Sequence, residues 1–201
     1  MKVMLLMPIH KTMNSSCVIS LVDFIQDMYH SGHYIKMIFT NGFNAAQARK
    51  SLSKHVADKG QDYDYILWLD SDHLYKKKDF LALIKRMEEN NLEMLSACYK
   101  MHSCTETAHG IVENDVFRHF KEEELKDDII KCSVVGFGFL VMKPSVVKKL
   151  WDNHGDNLFV LDTKNNTTED VQFCKCYEGD GGEIHFDPKV KVGHLESAVR
   201  Y

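Results

Sequence analysis

Hydrophobic positions along the chain fall alternately into short continuous runs and longer stretches with helical spacing. Val3 to Met7 is a continuous run and reads as a first β-strand. From about Ser15 to Ser31 the apolar side chains Val18, Leu21, Val22, Ile25 and Met28 recur at helical spacing, and Ser31-Gly32 ends that helix. Tyr34 to Phe39 reads as a second strand, closed by Asn41-Gly42. Asn44 to about Lys59 is an Ala-rich helix, capped by Asn44 and stopped at Gly60. Tyr65 to Leu69 is a third strand, Lys77 to Glu89 a charged helix and Met94 to Ala97 a fourth strand. This β-α-β-α-β-α-β order predicts a doubly wound α/β sheet with right-handed crossovers.

The second half is less regular. Met101 to His119 lacks a clear period and reads as a long functional loop with room for short strands. Cys132 to Val141 reads as strands interrupted by Gly136-Phe137-Gly138, and Pro144 opens a helix to about Trp151. Thr168 caps a short helix that begins Glu169-Asp170-Val171-Gln172-Phe173-Cys174. The last strands are Glu183 to Phe186 and Lys189 to Val192, leading into Gly193-His194.

The 201 residues, 44% hydrophobic and 27% charged, suffice for one domain with one sizeable core. A net charge of -4 argues against a nucleic-acid partner, which would require a basic face. Lys76-Lys77-Lys78 is the one basic run and reads as the solvated first turn of a helix. No apolar run is long enough to span a membrane, and the amino-terminal one is too short for a signal peptide. Six scattered cysteines, Cys17, Cys98, Cys104, Cys132, Cys174 and Cys176, follow no disulfide framework, so reduced thiols and a cytoplasmic location are expected.

The third strand, Tyr65-Ile66-Leu67-Trp68-Leu69, stops on Asp70-Ser71-Asp72. A fully apolar strand suits the middle of a parallel sheet, whose carboxyl edge is where ligands bind. Two carboxylates there, Asp70 and Asp72, can hold a divalent cation that serves a phosphate. His194 follows another predicted strand and can meet Asp72 across that edge; an imidazole in the donor set suits Mn²⁺ better than Mg²⁺. Glu169 and Asp170 open a helix, where one carboxylate can answer the helix dipole and the other can act as a general base. A zinc site at Cys174 and Cys176 with His185 or His194 is the competing metal reading, although i and i+2 on a helix face apart.

In this order, Asp70-Ser71-Asp72, Gly136-Phe137-Gly138-Phe139-Leu140, Glu169-Asp170-Val171-Gln172-Phe173 and Val192-Gly193-His194 resemble glycosyltransferases of the GT-A fold. The resemblance spans nearly the whole chain, and within that fold the chain looks like small amino-terminal glycosyltransferase domains of chlorella-virus capsid-glycan proteins. It implies a single α/β domain with a mixed, mostly parallel sheet flanked by helices. About 1–100 would form the nucleotide-binding half and about 101–201 the acceptor and metal-completing half, within what is expected to be a longer polypeptide. It further implies a UDP-sugar donor, with UDP-glucose or UDP-rhamnose favoured, a glycan acceptor and Mn²⁺, or Mg²⁺ in its place. Pro8, Ile9 and His10 would border the nucleotide, with Arg49, Asp70 and Ser71 beside the ribose and diphosphate. Asp72, Asp70 and His194 would serve the metal, and Asp170 with Glu169 the acceptor hydroxyl. A phosphatase of the haloacid-dehalogenase type, a sugar nucleotidyltransferase and a non-catalytic carbohydrate-binding domain remain as alternatives, and so do inverting and retaining stereochemistry.

Overall fold

Strands and helices follow one another in the order the hydrophobic pattern predicts through the first half of the chain. The computed structural model describes residues 1–10, 12–41, 44–101, 106–113, 116–125, 128–161 and 167–195. The first half comprises β1 (Lys2–Ile9), α1 (Ser15–His30), β2 (Tyr34–Asn41), α2 (Ala45–Lys59), β3 (Tyr65–Leu69), β4 (His73–Leu74), α3 (Lys77–Glu89) and β5 (Met94–Cys98). The second comprises β6 (Glu106–Glu113), β7 (Val116–Lys121), β8 (Ile130–Lys131), β9 (Phe139–Met142), α4 (Pro144–His154), α5 (Glu169–Gly179), β10 (His185–Lys191) and β11 (Gly193–His194). Gly42 and Cys104 lie outside the described residues.

Seven strands form one sheet in the order β2-β1-β3-β9-β5-β10-β8. β2, β1 and β3 are parallel, as are β5 and β10, while β9 runs antiparallel between β3 and β5 and β8 antiparallel beside β10. The result is a mixed, mostly parallel sheet with helices on both faces, as expected. Side chains alternate across β1: Val3, Leu5 and Met7 join the core beneath α1 and α3, and Met4 and Leu6 the core beneath α2, α4 and α5. Each such fully buried side chain stabilises the fold by roughly 1.5–3 kcal/mol. Among the described residues no helix is long and apolar enough to cross a membrane.

Three sequence expectations shift. On α1 the buried stripe is Cys17, Leu21, Phe24 and Met28, whereas Val18 and Val22 are 41% and 46% exposed. Phe24 meets Phe80 of α3 edge to face at 5.8 Å, and this large ring turns the helix so that its own row faces inward. The stretch from Met101 to His119 is a loop only in part, because β6 and β7 pair as an antiparallel hairpin within it. Its residues 102–105 and 114–115 lie outside the described ones. The two closing strands are a single strand, β10, whose pairing with β5 shifts between Asp187 and Lys191, around Pro188, which has no N–H to offer the ladder.

Candidate functional site

β3 delivers Asp70 to the carboxyl edge of the sheet, and the Tyr75 hydroxyl donates to the Asp70 carbonyl and holds the turn that follows. From α2, Arg49 reaches the same edge. Its Nη2 donates to Asp70 Oδ1 at 2.9 Å and its Nη1 to Glu169 Oε1 at 2.5 Å, and the guanidinium lies 4.8 Å from the centre of the Phe137 ring. Burial works against the charge on Arg49, but Asp70, Glu169 and Asp170 outweigh it and raise its pKa further. The cation therefore ties the end of β3 to the start of α5, elements that are far apart in sequence.

Three residues beyond Asp70, β4 pairs with β11 so that His73 stands opposite His194, and the Leu195 N–H donates to the Asp72 carbonyl at 2.7 Å. This ribbon brings three potential ligands together. Asp72 Oδ1 lies 2.9 Å from His73 Nδ1, Asp72 Oδ2 lies 3.4 Å from His194 Nε2, and the two imidazoles stack at 4.3 Å. His194 Nδ1 sits 2.7 Å from the Lys100 carbonyl, which can only accept, so Nδ1 carries a proton, and Nε2 faces Asp72, to which it donates when the ring is charged. Burial raises the Asp72 carboxyl, yet hydrogen bonds from His194 and His73 win and hold it far below the usual carboxylate range. Burial likewise lowers His194, and Asp72 reverses that to a net rise.

One carboxylate and two imidazoles, each offering an atom within 4.8 Å of the others, fit a first-row divalent cation. His73 Nε2 supports the fit, being a buried ring nitrogen with no hydrogen-bond partner among the described residues. Gly138 makes room for that ring: a Cβ there would lie 2.5 Å from His73 Nε2 and 2.9 Å from Tyr99. Among the described residues this is the one cluster with metal-ligand spacing, and neither Cys174 nor Cys176 belongs to it. The Cys174 Sγ is spent on the Val135 carbonyl, and burial raises its pKa.

Beside the cluster opens a cavity of about 220 Å³ whose lining includes Pro8, His10, Arg49, Asp70, Ser71 and Asp72. Ile9 is not in that lining; it packs against the core beneath α1 and α3. Asp70, read as a metal carboxylate, is engaged by Arg49 and stands outside the cluster with Asp72. Glu169 and Asp170 separate as neighbours on a helix must, about 100° apart. Glu169 turns in to Arg49, while Asp170 lines a second cavity of about 620 Å³ between α5 and the β6–β7 hairpin. The Thr168 hydroxyl donates to Asp170, as does the Val171 N–H at 2.9 Å, so the predicted cap residue orients a side chain instead of closing a backbone bond.

Sequence reasoning passed over His73 and Tyr99. Adjacency to Asp72 was the available signal for His73. Tyr99 carried none, yet its hydroxyl accepts the Gly138 N–H at 2.9 Å and its ring meets His73 at 4.6 Å.

Comparison with known proteins adds three findings. The profile of Glycosyl transferase family 2 matches residues 16–151, more than half of the chain. The crystal structure of A197 from STIV is similar with a TM-score of 0.63 at 13% identity, covering 100% of this chain and 97% of that one. The crystal structure of GalNAc-T7 with UDP, GalNAc and Mn²⁺ is similar with a TM-score of 0.59 at 10% identity, covering 97% of this chain and 43% of that one. Among curated proteins none matches. At these identities the structural likeness speaks for the fold.

Proposed function

The chain belongs to glycosyl transferase family 2, and from that premise we propose that it moves a hexose or deoxyhexose from a UDP-sugar to a hydroxyl of a glycan acceptor with the help of Mn²⁺. The observation that carries the reading is the cavity lined by Pro8, His10, Arg49, Asp70, Ser71 and Asp72, directly against the Asp72, His73 and His194 cluster. That adjacency suits a nucleoside diphosphate, with a polar concave opening beside metal-ligating groups that can meet its phosphates. The similar GalNAc-T7 was crystallised with UDP and Mn²⁺, which favours the same pair here. Mg²⁺ is the substitute, and UDP-glucose or UDP-rhamnose the favoured donor.

On this reading the half up to about residue 100 holds the donor, and the later half contributes the acceptor cleft and completes the metal site through His194. Asp72, His73 and His194 would hold the cation, which when bound acts as a Lewis acid toward the charge growing on the departing diphosphate. Arg49 holds the Asp70 side chain in place at the nucleoside end. Asp170, already aligned by Thr168 and Val171, takes the proton from the attacking acceptor hydroxyl. Glu169 supports the site by positioning Arg49. Five described cysteines are free and buried, which agrees with a reducing, cytoplasmic setting such as a host cytoplasm in the capsid-glycan reading.

Thermal unfolding with UDP, with and without Mn²⁺, tests the proposal. At about a hundred times its dissociation constant a ligand of the native state adds roughly 2.7 kcal/mol, a rise of about 5–10 °C for a domain of this size. UDP with Mn²⁺ should give that rise, UDP alone a small fraction of it, and Asp72→Asn should remove the metal dependence. Asp170→Asn should keep UDP binding and lose transfer by a hundredfold or more. No metal-dependent shift with any nucleoside diphosphate would overturn the proposal.

A further inference from the structure

The β6–β7 hairpin lies outside the main sheet and has two unlike faces. One packs inward, with Phe120 meeting Phe186 at 5.2 Å and His109 stacked on Phe186 at 4.3 Å. The other carries the opposed pairs Val112 and Phe117, and Gly110 and His119, and it forms a wall of the cavity of about 620 Å³ that Asp170 also lines. Val112 and Phe117 are 49% and 42% exposed, so the inner core does not account for their apolar surface. Gly110 sets the ring of Phe117: a Cβ at that position would fall 2.3 Å from two of its carbons, so only glycine lets the ring lie against the strand. His119 meets that ring edge to face at 4.9 Å, and its Nδ1 has no partner among the described residues.

Across the cavity from this apolar wall stand Asp170, Lys175 and Glu178, with Thr167 and Thr168. The volume falls within the range of about 300–1,000 Å³ typical of small-ligand pockets. An aromatic ring on one side and hydrogen-bonding carboxylates on the other match the two characters of a pyranose. Its C–H face carries partial positive charge and suits the negative face of an aromatic ring, and its rim of hydroxyls both donates and accepts. An alkyl chain would offer no hydrogen bond to the carboxylates of Asp170 and Glu178 or to the ammonium of Lys175. A peptide would turn backbone N–H and C=O groups onto Val112 and Phe117.

We propose that this cleft receives the acceptor as a sugar ring seated on Phe117, with its hydroxyls directed to Asp170, His119 and Glu178. The assignment deepens the sugar-transfer reading above and rests on it for the role of Asp170, but the seat itself can be read without catalysis. Saturation-transfer NMR on the full chain would use the methyl glycosides of glucose, galactose, mannose, xylose, fucose and rhamnose at millimolar concentration as probes. At least one should receive saturation, strongest on the protons of one ring face. Phe117→Ala should reduce that signal at least fivefold and Phe117→Trp should retain it, with unchanged circular dichroism melts certifying that both variants fold. No saturation of any glycoside, an equal signal in Phe117→Ala, or saturation of a serine peptide or dodecyl phosphate in place of the sugars would overturn the proposal. The UDP and Mn²⁺ shift of the unaltered protein, measured in parallel, separates the two readings. Phe117-dependent glycoside binding without that shift would leave the sugar seat standing and remove the UDP donor.

Discussion

Arg49 shows what a single residue can be asked to do at a sheet edge. The family resemblance singled it out as a residue beside the nucleotide, and in the structure it lines the cavity of about 220 Å³ next to Asp72. Its partners were not legible, because Asp70 and Glu169 come to it from β3 and α5, and nothing local to Arg49 specifies either. Arg49→Met removes the cation and leaves two largely buried carboxylates facing one another. A loss of roughly 3–5 kcal/mol is expected, read as a lowered urea midpoint with an unchanged slope. Glu169→Gln should cost less, since Asp70 still answers the guanidinium. The distinction between Glu169 and Asp170 follows from helix geometry, but which of the two turns inward required knowing where Arg49 lies.

At the scale of elements, the site depends on a ribbon too short to predict. β4 and β11 have two residues each, below the length at which alternation can be recognised, and they form because the chain leaves β3 and β10 at the same edge. Their bonds place His194 against Asp72, including the Leu195 N–H to the Asp72 carbonyl. Leu195→Pro deletes that donor while leaving all three ligands in the sequence. Mn²⁺ affinity should fall by about 10–100-fold, the usual effect of losing outer support of a metal ligand, with the melting temperature little changed; metal titration by calorimetry reads it. α1 teaches the complementary lesson. Its existence and ends were clear from periodicity and Ser31-Gly32, but Phe24, facing α3, decided which of two overlapping stripes is buried.

Across the whole molecule, buried histidines make stability depend on pH. His109 is fully buried and stacked on Phe186, and burial pushes its pKa down to about 3; burial also lowers His33, His55 and His185. The unfolded chain binds protons near pH 6.5 that these folded sites refuse. Stability is therefore fully present above about pH 6.5 and is lost as pH falls toward 3, with His109 alone contributing up to about 1.4 kcal/mol per pH unit. His194, raised by Asp72 against burial, works in the opposite sense, giving stability below pH 6.5 that fades as pH rises through its higher folded value. The urea midpoint should drop between pH 7 and pH 5, and His109→Gln should flatten the drop. The sequence by itself determined the alternation of strand and helix, the two-faced burial of β3 and the arrival of Asp70 and Asp72 at the carboxyl edge. These follow from the spacing of apolar side chains within one segment, which local burial enforces. Only the tertiary structure decided that β9 runs antiparallel between β3 and β5, that His73 and His194 stack beside Asp72, and that Arg49 bridges Asp70 to Glu169. Those contacts join residues far apart in the chain, and strand order and register select them through the packing of the whole sheet.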